Sequence, residues 1–180
     1  MKSAERAARY HRLLRIAAAK EGGTDFVSAY TISSTGEAVV IAISTWQVGI
    51  RAIVSYVVEP DGVLTDGIGL RDAVTQLCEI ANPLDIVINC AHPEHIASGL
   101  GGGGREAKLA GFVANASRRS HLQLDNATSF DDGNPDELSQ QIADLWLSHP
   151  ATHNLGGSRG IGERHTRKIT ERTAKIKGFI

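Results

Sequence analysis

Short apolar strands alternating with amphipathic helices place this chain in the α/β class, as a parallel sheet with helices packed outside it. The elements follow the order α-βα-βα-βα-βα-βα, with glycine or proline at the joins. Strict alternation of this kind implies crossover helices between parallel strands. The segments Arg51–Val58 (RAIVSYVV) and Asp85–Cys90 (DIVINC) are apolar, β-branched runs of the type buried on both faces of a sheet. With 180 residues, 42% hydrophobic and 22% charged, the chain is large enough for one domain with its own core. A barrel and an open doubly wound sheet both satisfy this pattern.

The elements can be justified in order. Ala7, Tyr10, Leu13, Leu14 and Ala17 recur at helical spacing within Ala4–Lys20, and Gly22-Gly23 stops that helix. Asp25–Ala29 is a short strand, and Thr35–Val48 a helix with Thr35 as its N-cap. Arg51–Val58 is a strand closed by the Pro60-Asp61-Gly62 turn. Leu70–Ile80 is helical and Asp85–Cys90 a strand, followed by a short helix from Pro93 through Ile96. Gly101–Gly104 reads as a flexible connection. Leu109–Ala116 is a strand, and Pro135–Leu147 a helix introduced by Asp131-Asp132-Gly133-Asn134. Thr152–Leu155 is the last strand and Glu163–Lys175 the last helix.

Composition excludes several classes of function. A net charge of −1 supplies no field for nucleic acid or an anionic membrane. The basic run Arg164–Lys177 is interrupted by Glu171 and reads as a solvated helix face. Cys78 and Cys90 do not make a disulfide scaffold. The N-terminus lacks a signal-peptide pattern and no apolar run reaches membrane-spanning length, so a cytoplasmic location is expected.

In β/α folds functional residues gather where strands run into the following loops. Those ends are Ala29-Tyr30-Thr31, Ser55-Tyr56, Asn89-Cys90-Ala91-His92, Asn115-Ala116-Ser117 and Gly156-Gly157-Ser158-Arg159. Cys90 ends an apolar strand just before a His-Pro turn and should face the strand-end cleft. His92 and His95 share helical spacing and, with Cys90, have the composition of a metal site, although zinc requires three or four matched ligands. The segment Gly156–Gly162 (GGSRGIG) looks like the glycine-rich turn of a short-chain dehydrogenase. That turn must open a βαβ unit. Only eighteen residues follow Gly162 and they read as one helix, so the dinucleotide reading fails on position.

The chain also resembles the homocysteine S-methyltransferase family, or homocysteine-binding domain. The similarity runs through Tyr10-His11, Asp25–Ala29, Thr31-Ile32, Glu37-Ala38, Asp61-Gly62, Ile88–Pro93 (INCAHP), Asn115-Ala116-Ser117, and Leu155-Gly156-Gly157 with Arg164-His165. INCAHP and GG…RH at their relative spacing are the specific elements. The resemblance implies a (β/α)8 TIM-type barrel, represented here by about five β/α units. It implies zinc held by three cysteine thiolates, with homocysteine's sulfur filling the open position. Metal-bound thiols are deprotonated, so that sulfur becomes a nucleophile toward an activated methyl group, giving methionine. Carried over, the ligand positions are Cys90, which is retained, and Ser158 and Arg159, which replace the other two cysteines. Asn89 and Asn115 fall at substrate-binding positions, and Tyr30 stands where the family has a glutamate for the substrate's amino group.

Three departures follow. Serine is a poor neutral ligand, and arginine stays protonated and cannot coordinate, so zinc binding and methyl transfer should be impaired or lost. A phenol at position 30 cannot supply the countercharge for an amino group. The family's opening barrel strands with their Asp-Gly-Gly motif are absent, an expectation of truncation that calls for self-association or a partner chain to cover the strand edges. The expected partners are homocysteine and a methyl donor. Two other readings stand beside this one. Substitute ligands such as His92, His95 or His165 would preserve an active enzyme. Alternatively, the Gly156–Gly162 loop with Arg159 would make an anion-binding or scaffolding module, with Arg159 also acting on the Cys90 thiol.

Overall fold

The computed structural model describes residues 15–101 and 108–177. Most of the helix expected over Ala4–Lys20, the Tyr10-His11 match and most of the tetraglycine tract lie outside the described residues. The elements are α1 (Ala17–Glu21), β1 (Phe26–Ile32), α2 (Thr35–Gln47), β2 (Arg51–Tyr56), α3 (Leu70–Ala81), β3 (Asp85–Asn89), α4 (Pro93–Leu100), β4 (Leu109–Ala114), α5 (His121–Asp125), α6 (Pro135–Ser148), β5 (Asn154–Gly157) and α7 (Glu163–Lys177).

All five strands pair in parallel in the order β1-β2-β3-β4-β5. This order decides between the two architectures left open by the alternation. A doubly wound sheet reverses strand order at a switch point, whereas a barrel adds each strand beside the one before it. The sheet is therefore an arc of a (β/α) barrel, and helices α2, α3, α4, α6 and α7 each touch the next around its outside. Burial follows from that placement. The three central strands are almost wholly buried, while β1 and β5 at the two ends of the arc are largely open.

The helix-facing side of the sheet carries Ala52, Val54 and Tyr56 from β2, Ile86 and Ile88 from β3, and Phe112 from β4. They form one core with Ala38, Ile41, Leu70, Ala73, Val74, Leu77, Ile96 and Leu100. A smaller cluster of Ala114, Ala116, Leu138, Ile142 and Ile169 seats α6 and α7 on β4. Alternation turns the intervening positions inward, and at the strand ends these are Ser55 and Asn89.

Several boundaries differ from the sequence expectation for physical reasons. β1 runs on to Ile32 because Thr31 takes a left-handed conformation (φ 60°), so the strand crosses a register shift and pairs again at Ile32–Tyr56. Thr35 is the first helical residue of α2, not its N-cap, which is Ser34. The Thr35 N–H is satisfied from another loop, donating 2.6 Å to Asp66 Oδ2. β5 is shifted two residues toward the C-terminus, and α4 continues beyond Ile96 to Leu100. The short helix α5 was not among the expected elements. Its signature is present in the sequence: Ser120 and Gln123 close a reciprocal capping box. Asn134 caps α6 with its side-chain oxygen, and Pro135 occupies the first turn, as that loop's composition suggests.

Candidate functional site

The C-terminal strand ends converge on Cys90. Asn89, the last residue of β3, is buried and uses its whole amide. Its Oδ1 accepts from the Ser55 hydroxyl at 2.8 Å and from Thr31 N–H at 3.2 Å. Its Nδ2 donates to Thr31 Oγ1 at 3.0 Å and toward Cys90 Sγ at 3.1 Å. One side chain thus locks the ends of β1, β2 and β3. Two of the three residues it holds, Thr31 (φ 60°) and Cys90 (φ 54°), sit in the sparsely populated left-handed region. Such conformations cost energy and persist where surrounding contacts enforce them.

Asn115, just past β4, performs the next tie. Its Nδ2 donates to the Cys90 carbonyl at 2.7 Å, and its Oδ1 accepts from the Arg159 backbone N–H at 3.1 Å. Ser158 N–H donates to Ala114 O at 2.8 Å, and Ala116 N–H donates to Arg159 O at 3.0 Å. These bonds bring Ser158 over the end of β3, with its Oγ 3.1 Å from Cys90 Sγ. Cys90 and Ser158, sixty-eight residues apart in sequence, are therefore neighbours.

The Arg159 guanidinium reaches α5, donating to Leu124 O at 2.9 Å and standing 3.5 Å from Asp125 Oδ1. The α7 end of the same loop is likewise committed, because Gly162 N–H donates to His165 Nδ1 at 3.2 Å. The anion-site reading of this loop thus finds its charged side chain and one of its backbone donors already engaged. Tyr30 is 61% exposed, one residue before the Thr31 that Asn89 holds.

His92, His95 and His165 do not converge with Cys90 into a metal-binding group. His92 is the N-cap of α4, and its Nδ1 accepts from Glu94 N–H at 3.2 Å. An imidazole in that role is neutral, so the nearby Glu94 carboxylate does not make an ion pair with it. His95 packs against it at a ring separation of 5.7 Å. His165 is buried, with Nε2 placed 2.7 Å from Asp132 O in addition to its Nδ1 bond. Among the described residues no three His, Cys, Asp or Glu side chains converge where a metal ion could sit.

Sequence reasoning missed His121 and Glu59. His121 Nε2 lies 2.9 Å from the Cys90 carbonyl, and its Nδ1 lies 3.2 Å from Glu59 Oε1. This bridge from the loop after β2 to the end of β3 gives the Cys90 carbonyl a second partner besides Asn115. The capping box at Ser120–Gln123 was the available signal, since it places His121 at the first position of a helix.

Burial pushes His92 down to about 4, and the Arg118 guanidinium adds to the shift. Arg118 itself is clamped by the Glu94 and Glu137 carboxylates, joining α4, the loop after β4 and α6. Between the ordinary histidine value of 6.5 and about 4 the unfolded chain binds the proton that folded His92 refuses. Stability from this group is therefore complete above about pH 6.5 and lost progressively as pH falls toward 4. Urea melts across that range should show the folding free energy declining with acidity, and the decline should be reduced in His92→Asn.

The homocysteine S-methyltransferase family model matches residues 1–173 of the chain. The chain belongs to that family. Two solved structures of the Escherichia coli homocysteine methyltransferase MmuM share its fold. The apo form is 19% identical with a TM-score of 0.63, covering 94% of this chain and 57% of that one. The metallated form is 18% identical with a TM-score of 0.59, covering 93% and 52%. The family member described here thus spans a little over half the length of these structures. No curated protein sequence matches it significantly. Among the described residues no helix is long and apolar enough to cross a membrane.

Proposed function

We infer that this chain is a homocysteine S-methyltransferase-type barrel segment in which the family reaction, methyl transfer to the homocysteine sulfur to give methionine, is impaired or lost. The observation that carries this reading is the content of the three ligand positions. They hold one thiol, one hydroxyl and one guanidinium that is bonded to α5. A neutral hydroxyl is a weak zinc ligand, and a guanidinium has no lone pair to offer. Zinc centres use three or four nitrogen, sulfur or carboxylate donors. His92 and His165 are tied into caps and loop contacts, which makes them poor substitutes. The donors present do not fit zinc, and no chemical step is assigned through a metal here.

Two further features support the same reading. Tyr30 offers no negative charge to an amino group, and the amides of Asn89 and Asn115 are spent on the protein instead of facing an open cleft. Among the described residues β1 and β5 have one neighbour each, and their open edges are suited to pairing with a further strand, in a second copy or a partner chain. Incubating the purified protein with homocysteine, S-methylmethionine and zinc should yield no methionine above the protein-free blank. Sustained turnover would sink the reading and restore that of an active enzyme with other ligands.

A further inference from the structure

Ser158 and Arg159 do more than fail to bind a metal. The β5–α7 loop is fastened to the strand ends by backbone bonds that any pair of residues could make, from Ser158 N–H to Ala114 O and from Ala116 N–H to Arg159 O. Asn115 adds a side-chain tie to the Arg159 N–H. Two more fasteners depend on the side chains at positions 158 and 159. The Ser158 hydroxyl meets the Cys90 sulfur, and the Arg159 guanidinium reaches the Leu124 carbonyl and the Asp125 carboxylate.

We propose that Ser158 and Arg159 form a metal-free closure of the strand-end site. The link between the ends of β3 and β5 is a hydroxyl–thiol contact, and Arg159 anchors the same loop to α5 through a charge-assisted hydrogen bond. Arg159 is a positioning residue in this arrangement, since it acts on Cys90 only by holding Ser158 over it. Its guanidinium is engaged on α5, and the cluster of Cys90, Ser158, Asn89 and Asn115 is held together by protein hydrogen bonds alone. The closure rests on the preceding reading that the site holds no zinc.

The test combines thermal unfolding, with and without a chelator, and the labelling rate of Cys90 by an alkylating reagent. Peptide mass analysis resolves Cys90 from Cys78 in the intact chain. Arg159→Met keeps the aliphatic stem and removes the guanidinium, while Arg159→Lys keeps a cationic donor. The wild-type midpoint should be the same in chelator and in zinc. Arg159→Met should label Cys90 on the order of tenfold faster, as expected for loss of one charge-assisted bond that opposes local opening. Arg159→Lys should recover part of the protection, which packing of the stem alone would not produce. Wild-type labelling in Arg159→Met, with no zinc bound, overturns the closure alone. A wild-type midpoint that falls in chelator overturns both the closure and the zinc-free reading beneath it.

Discussion

Gly62→Ala is expected to destabilise the protein by at least about 3 kcal/mol. Gly62 lies in the turn after β2 with φ 76°, a conformation that costs a side chain energy whatever space surrounds it. Here there is also no space. A β-carbon at Gly62 would stand 2.3 Å from both the backbone nitrogen and Cα of Gly99 in α4. The contact is reciprocal, since a β-carbon at Gly99 would stand 2.6 Å from Gly62 O and 2.8 Å from Leu70 Cβ. Backbone meets backbone, so no rotamer change relieves the clash, and α4 must move away from the loop. Gly62 O also accepts from Leu70 N–H at 3.1 Å, so the displacement disturbs the start of α3 as well. Chemical denaturation should show a lowered midpoint at nearly unchanged slope. A loss below about 1 kcal/mol would show that the loop and α4 are not packed this closely.

Asn89→Ala should cost about 3 kcal/mol and loosen the whole strand-end site. Truncation leaves the buried Ser55 hydroxyl and the Thr31 N–H without their acceptor, and removes the donors to Thr31 Oγ1 and Cys90 Sγ. Thr31 and Cys90 then lose the contacts that hold their positive φ angles. Asn89→Asp separates the contributions, because a carboxylate still accepts from Thr31 and Ser55 but cannot donate to the sulfur. It should recover part of the stability lost in Asn89→Ala, read by chemical denaturation. Equal stability of Asn89→Ala and the wild type would refute the locking role.

Much of this architecture is legible in the sequence, and the exceptions share a cause. Parallel pairing follows from alternation, and burial of β2 and β3 follows from their continuous apolar runs, because both signals are local. Strand order has no local signal, since it is fixed by which strands lie side by side after every crossover has formed. The resemblance through INCAHP and GG…RH pointed to Cys90 and Ser158 as neighbours, and they stand 3.1 Å apart. The same reading put the Arg159 charge at the metal position. The guanidinium turns instead to α5, a helix of five residues whose capping box was in the sequence but whose contact with the loop after β5 was not. The resemblance places Asn89 and Asn115 at substrate-binding positions. Only the assembled site shows that their amides hold the ends of neighbouring strands together.

If Ser158 and Arg159 are what keep zinc out of the strand-end site, restoring two thiols there should let it bind. Two thiolates on one tetrahedral zinc lie about 3.8 Å apart, given Zn–S bonds of about 2.3 Å. Ser158 Oγ stands 3.1 Å from Cys90 Sγ, so position 158 lies within reach of a ligand shared with position 90. The most direct measurement is the zinc-to-protein ratio after dialysis against zinc buffer, for the wild type beside the Ser158→Cys, Arg159→Cys double variant. A ratio near zero is expected for the wild type and a clear gain for the variant. About one zinc per wild-type chain would contradict this expectation.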